Sequence, residues 1–177
     1  EHTIETVARL RPAWPDIRLE IVGRGPSDDD LRAYAAERGV ADRVTFHGWV
    51  SEQHKHEILV RSWVHLCPSV KEGWGIVVME AGAHGVPTVA YHAAGGVGES
   101  VIDWGTGLLV DDLEDFVAAT EMLLRYEWLR AAMGTQSREH VSRYEWKHSV
   151  DSFDDVVRAV LPPRPGRAAD KPAPAQR

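Results

Sequence analysis

At 177 residues, 44% of them apolar, the chain is long enough for one domain with a full hydrophobic core. A formal net charge of -7 argues against a general nucleic-acid binder, so no nucleic-acid partner is expected. The single cysteine, Cys67, excludes an internal disulfide, and no apolar run or signal peptide marks a membrane span or export, so a cytoplasmic location is expected.

Ile4, Val7, Ala8 and Leu10 fall at helical spacing, which predicts a helix over Thr3 to Leu10 that Pro12 closes. Ile17 to Val22 reads as a buried strand ending at Gly23. The acids Asp28, Asp29 and Asp30 favour the amino end of a helix running to about Arg38, with Gly39 as its stop. Val44 to Phe46 is a short strand, and Ser51 caps a helix through about Arg61. Val64 to Cys67 is the next strand, in which Cys67 is expected to be buried.

After the glycines at 73 and 75 an apolar helix begins, and Thr88 to Tyr91 and Leu108 to Val110 are further strands. Leu113 to Tyr126 and Trp128 to Met133 read as helices. Ser149 to Leu161 reads as an amphipathic closing helix, with Val150, Phe153, Val156, Val157, Val160 and Leu161 on its apolar side. Short strands alternating with helices predict an α/β, Rossmann-like parallel sheet with helices on both faces. Residues 1–161 then form one domain. From Pro162 to Arg177 the proline content and the basic residues Arg164, Arg167, Lys171 and Arg177 mark a tail or linker.

The chemistry concentrates in Glu72-Gly73-Trp74-Gly75, followed by Ile76, Val77, Val78, Met79 and a second carboxylate, Glu80. A strand, a glycine-rich loop, a helix and another strand place backbone N–H groups and a helix amino end against an anion. Glu80 lies among apolar neighbours, where an unpaired carboxylate is costly to bury, so it calls for a hydrogen-bonding partner such as a sugar or ribose diol. The glycines have a plain account as a tight turn, and close backbone approach to a phosphate requires the same small residues.

This segment resembles the family-4 retaining glycosyltransferases of the two-domain GT-B architecture, whose signature is E-G-x-G, four residues, then E-A, with G-x-P before the next strand. Here it reads Glu72-Gly73-Trp74-Gly75, then Glu80-Ala81, then Gly85-Val86-Pro87. Leu19 to Pro26 is similar to the family's strand and G-x-G turn, and Arg43 to Val50 to its V-x-F-x-G strand and turn. Gly95 to Glu99 and Gly105 to Val110 fall where the family has its next loop and strand.

The resemblance implies the C-terminal half of such an enzyme, binding a nucleotide-diphosphate sugar and transferring the sugar with retention to a glycan, lipid or small-molecule acceptor held by an N-terminal domain. It implies Glu80 on the ribose hydroxyls. It places Glu72 as the catalytic-site carboxylate facing the sugar, with Gly73, Trp74, Gly75 and Ile76 at the sugar and diphosphate, and main-chain atoms of Trp49 and Val50 at the base. It also implies that the fold's first strand, whose loop carries a basic diphosphate clamp, lies upstream of residue 1. The isolated piece is then expected to lack turnover, and the longer enzyme to allow peripheral membrane association. No metal or other cofactor is expected.

Weaker signals fall on either side. Gly23-Arg24-Gly25 is a phosphate-loop candidate, yet it lacks the third glycine of a dinucleotide fingerprint, and Arg24 reads better as a surface residue. Gly95 to Gly98 is a sugar-facing loop or a flexible connection. His47, His54 and His56 suggest a metal, but positions 54 and 56 point to different sides of a helix and no cysteine or carboxylate cluster completes a ligand set. A non-catalytic ligand-binding or interaction module is the alternative, and a GT-B epimerase or phosphorylase a third reading.

Overall fold

A computed structural model describes residues 1–144 and 146–161, so the expected Pro-rich tail lies outside the described residues. Residues Glu1–Ser142 form one compact unit. Within it, helix α1 (His2–Leu10) precedes strand β1 (Leu19–Val22), helix α2 (Asp28–Glu37) and strand β2 (Val44–Gly48). Helix α3 (Glu52–Arg61), strand β3 (His65–Cys67), helix α4 (Ile76–Ala83) and strand β4 (Thr88–Tyr91) follow. A short helix α5 (Val97–Ser100), strand β5 (Gly107–Val110) and helices α6 (Leu113–Arg125) and α7 (Glu127–Val141) complete the unit.

All strand pairs are parallel, as alternating strands and helices require. The ladder is interrupted, however. β1 pairs only with β2, with Leu19 opposite Val44 and Ile21 opposite Phe46. β3, β4 and β5 form a second sheet in that order, with His65 opposite Thr88 and Tyr91 opposite Val110. Each sheet has its own apolar core. Ile4, Val7, Ala35, Val40 and Val44 pack beside the first, and Val89, Val97, Leu108, Phe116, Leu123 and Met133 beside the second.

The first core encloses a carboxylate. Glu5 is buried and receives hydrogen bonds from Arg9 Nε at 2.8 Å and Tyr34 Oη at 3.0 Å, with Arg38 Nε at 2.7 Å. The Arg9 hydrogen bond, with help from Tyr34 and Arg38, holds the carboxyl below its ordinary range against the opposing effect of burial.

Several elements differ from expectation: β2 runs on to Gly48, β3 begins at His65 and the closing helix begins at Trp146. The strand expected from Ile17 begins at Leu19, because Ile17 N donates to Trp14 O in a turn at 3.0 Å. The helix expected to stop at Met133 runs on to Val141. Gly134 sits where α7 crosses the turn after α4: a side chain there would collide with the Gly85 carbonyl. Helix α5 has four residues, too few for a periodic signal. In the second unit, from Arg143, helix α8 (Trp146–Val160) carries the expected apolar positions except Leu161, which follows it; Val150, Phe153, Val156, Val160 and Leu161 are exposed and Val157 is half-buried.

His65 carries a pH dependence. Its Nδ1 lies 3.1 Å from Thr88 Oγ1, and burial pushes the imidazole from an ordinary 6.5 down to about 4. A neutral ring is therefore favoured by the fold, and the unfolded chain binds more protons between those values. Stability is fully present above about pH 6.5 and falls as acid is added. Linkage gives a loss of about 2 kcal/mol between pH 7 and pH 5 from this residue. Urea unfolding at the two pH values checks it, and His65→Gln is expected to flatten that part of the slope.

Candidate functional site

The loop between β3 and α4 holds the first carboxylate. Glu72 N donates to Ala94 O at 2.8 Å, and Glu72 forms a parallel bridge with Gly95, so this loop lies against the loop after β4. The contact requires Gly96 to lack a side chain, because a Cβ there would run into the Gly73 carbonyl and the Trp74 backbone. The Glu72 carboxylate is fastened at both oxygens: Gly73 N donates to Oε1 at 3.2 Å and Ser69 Oγ to Oε2 at 3.2 Å. Each carboxylate oxygen has two lone pairs, so one direction per oxygen remains for hydroxyl donors.

Gly75 turns the chain into α4. Its φ of 77° is left-handed, and a side chain there would crowd Val78. No side chain caps α4, and Ile76 and Val77 at its start are exposed. The helix thus presents its amino end and partial positive charge beside the Glu72 loop. Trp74 is half-buried on the same loop.

Glu80 lies one turn further along α4 and is half-buried, with a side chain 33% exposed. Its Oε1 accepts from Lys55 Nζ at 2.8 Å. Lys55 also reaches Glu52 at 2.9 Å, and both carboxylates, Glu80 first, hold the ammonium above its ordinary range. Next to this pair His56 Nδ1 lies 2.7 Å from His84 Nε2. Helices α3 and α4 are therefore tied by two polar contacts, and the Glu80 Oε2 is left for a further donor. Sequence reasoning missed Lys55: its place in a run of Glu, Gln and His gives no sign of a partner on the following helix.

Trp49 and Val50 sit where β2 ends and the Ser51 cap begins; Trp49 is 82% exposed and Val50 half-buried. They share the α3 side of the site with Lys55. The Gly23 loop is less available. Gly23 N donates to Gly48 O at 2.8 Å, Gly25 N donates to Asp28 Oδ1 at 3.0 Å, and Arg24 is exposed with its stem close to Gly48. A cavity of about 930 Å³ between β1 and β3 ends at Lys55, Val77 and Glu80; the Glu72 loop does not line it.

Among the described residues no group of three or more His, Cys, Asp or Glu side chains is placed to hold a metal ion. His54 lies toward His47 and Glu57, and His56 toward His84, so the two point to different neighbours. Nor is any helix among the described residues long and apolar enough to cross a membrane.

Comparison with known proteins places these features in context. The family model described as "Glycosyl transferases group 1" matches residues 1–140. The D-inositol 3-phosphate glycosyltransferase of Stackebrandtia nassauensis is 33% identical over 95% of this chain and 41% of its own length. A GDP-mannose-dependent α-(1-6)-phosphatidylinositol monomannoside mannosyltransferase of Mycolicibacterium smegmatis is 34% identical over 81% of this chain and 40% of its own. The chain thus spans about two-fifths of the length of these relatives. In fold it is similar to the pneumococcal O-GlcNAc transferase GtfA solved with UDP and GlcNAc, with a TM-score of 0.79 at 21% identity, covering 90% of this chain and 32% of that one.

Proposed function

The chain belongs to the glycosyl transferases of group 1, and on that premise we propose that it is the donor-binding half of a retaining glycosyltransferase. The observation that carries this reading is the arrangement around α4. One carboxylate is fastened with hydroxyl-accepting directions left over, a bare helix amino end lies beside it, and a second carboxylate follows on the same helix.

A nucleotide-diphosphate sugar uses all three. The diphosphate, which gains charge as the sugar leaves, lies against the amino end at Gly75 and Ile76, where fixed N–H dipoles stabilise the leaving group. Glu72, held away from that charge by Ser69 and Gly73, takes the sugar hydroxyls and fixes the anomeric carbon. Glu80 accepts from the ribose hydroxyls through Oε2 while Lys55 Nζ donates to its Oε1. Trp49 and Val50 face the base.

In this reading Glu72 and Glu80 accept hydroxyl protons and neither forms a bond to the sugar, so the transfer takes place on the face that the leaving group departs from. The acceptor, a glycan, lipid or small molecule, is held by the rest of the enzyme. The relatives named above are a D-inositol 3-phosphate glycosyltransferase and a phosphatidylinositol monomannoside mannosyltransferase, which favours a polyol or glycolipid acceptor.

The test is turnover by the longer enzyme. Product NMR is expected to show the donor's anomeric configuration preserved, with Glu72→Gln lowering kcat about hundredfold. An inverted product, or a Glu72→Gln enzyme with unchanged kcat, refutes the assignment.

A further inference from the structure

We propose that His56 and His84 form a proton-operated clasp that seats Lys55 on Glu80, so that acid releases Glu80 from its place beside the nucleotide. The bearing on the nucleotide rests on the donor-binding reading above; the clasp itself does not.

Two ties join helices α3 and α4, and they lie side by side. Lys55 and His56 are consecutive on α3, while Glu80 lies on α4 and His84 caps it one turn later. Lys55 Nζ donates to Glu80 Oε1 at 2.8 Å, and His56 Nδ1 lies 2.7 Å from His84 Nε2. The rings meet edge to face, at 75° with centroids 4.9 Å apart, so they touch through their nitrogens and do not stack. The two helices have little close backbone contact, which leaves these ties to set how they sit together.

A nitrogen–nitrogen contact of this length requires one N–H and one lone pair. Two neutral rings supply them, and so does a pair that has taken up one proton. With both rings protonated, two N–H groups face each other and the contact is lost. The clasp therefore opens on the second proton. Glu52 on α3, Glu80 on α4 and the carboxyl end of α4 all favour charge on the rings. Lys55 opposes it, as does Arg138 of α7, whose Nη1 donates to His84 O at 3.3 Å. Burial, and next the charge of His56, hold His84 below its ordinary 6.5 against the pull of Glu80. The fold thus favours a neutral His84: the clasp is closed at neutral pH and opens as pH falls below about 6.5.

Once open, each partner has somewhere to go. His84 follows Glu80 by four positions, the spacing and order in which a carboxylate and a cation pair well along a helix. The charge of Glu80 already reaches it. A protonated His84 turned away from His56 competes with the ribose hydroxyls for the Glu80 carboxylate. Lys55 keeps Glu52 at 2.9 Å on its own helix, so it leaves Glu80 without being stranded.

The test follows residues 1–177 by NMR from about pH 7.5 to about pH 5.5, beside His84→Gln and His84→Ala. Ring-nitrogen spectra are expected to show coupling between His56 Nδ1 and His84 Nε2 at the higher pH and none at the lower. The Overhauser contact between the Lys55 ε-methylene and the Glu80 γ-methylene is expected to fade in the same step. His84→Gln, whose amide bonds His56 in either charge state, keeps that contact throughout, and His84→Ala weakens it throughout. Calorimetric titration with UDP-glucose and GDP-mannose is expected to show one of them binding about tenfold more weakly at the lower pH, with no such change in His84→Gln. Sugar conjugates are used because the terminal phosphate of a free diphosphate itself takes a proton near about pH 6.

Three results overturn the proposal. The first is a ring coupling that is absent at the higher pH or persists at the lower. The second is a Lys55–Glu80 contact that outlives the coupling. The third is an equal acid loss of affinity in His84→Gln, which would trace to the acid-sensitive fold around His65. Failure of both conjugates to bind at the higher pH refutes the donor reading alone, since the ring and Lys55 signals are read without ligand.

Discussion

Glu80→Ala is expected to weaken nucleotide-diphosphate binding at least tenfold while leaving the fold nearly as stable. The affinity loss follows from removing charge-assisted hydrogen bonds to the ribose, worth about 1.5–3 kcal/mol. Stability changes little because Lys55 keeps Glu52 at 2.9 Å and is in reach of water, so no buried charge is stranded. Calorimetric titration with the preferred diphosphate, beside thermal unfolding of the same samples, separates the two effects. Glu80→Gln keeps one acceptor and loses the charge, so an intermediate affinity is expected. An alanine variant whose affinity follows its Tm would instead make Glu80 a structural link between α3 and α4.

Gly96→Ala is the second large effect. The added methyl would overlap the Gly73 carbonyl and crowd the Trp74 backbone, so the Glu72 loop must move away from the loop after β4. Overpacking of this kind costs about 1–3 kcal/mol of stability. Displacing a positioning carboxylate by about 1 Å can cost about a hundredfold in rate, so kcat/KM of the longer enzyme is expected to fall by that order. Gly98→Ala is the matched control, since a methyl there meets nothing within 4 Å. Equal losses in the two variants would show that the glycines serve chain flexibility and not the seating of Glu72.

These two residues also mark what can be read from a single chain. Glu72, Gly75 and Glu80 are legible because their relation is local: one loop and the first turns of one helix fix it, whatever surrounds them. Gly96 reads as an ordinary connection until the fold brings it onto Gly73. Lys55 and Glu80 are 25 positions apart and meet because α3 and α4 pack together, which periodicity does not report. The helix boundary missed at Gly134 has the same origin, a glycine chosen for contact with Gly85 and not for its local preference. The parallel architecture was readable from the alternation of elements. The break between β1 and β3 was visible only once the partners of each strand edge were known.

The most direct test of the central claim is saturation-transfer NMR of residues 1–177 with UDP, GDP and ADP at millimolar concentration, repeated on Glu80→Ala. The account predicts transfer to one diphosphate, strongest on ribose and base protons, with the ribose signals lost in the variant. No transfer from any of the three to a well-folded chain, or an identical pattern in the variant, would contradict a donor site built on Glu80.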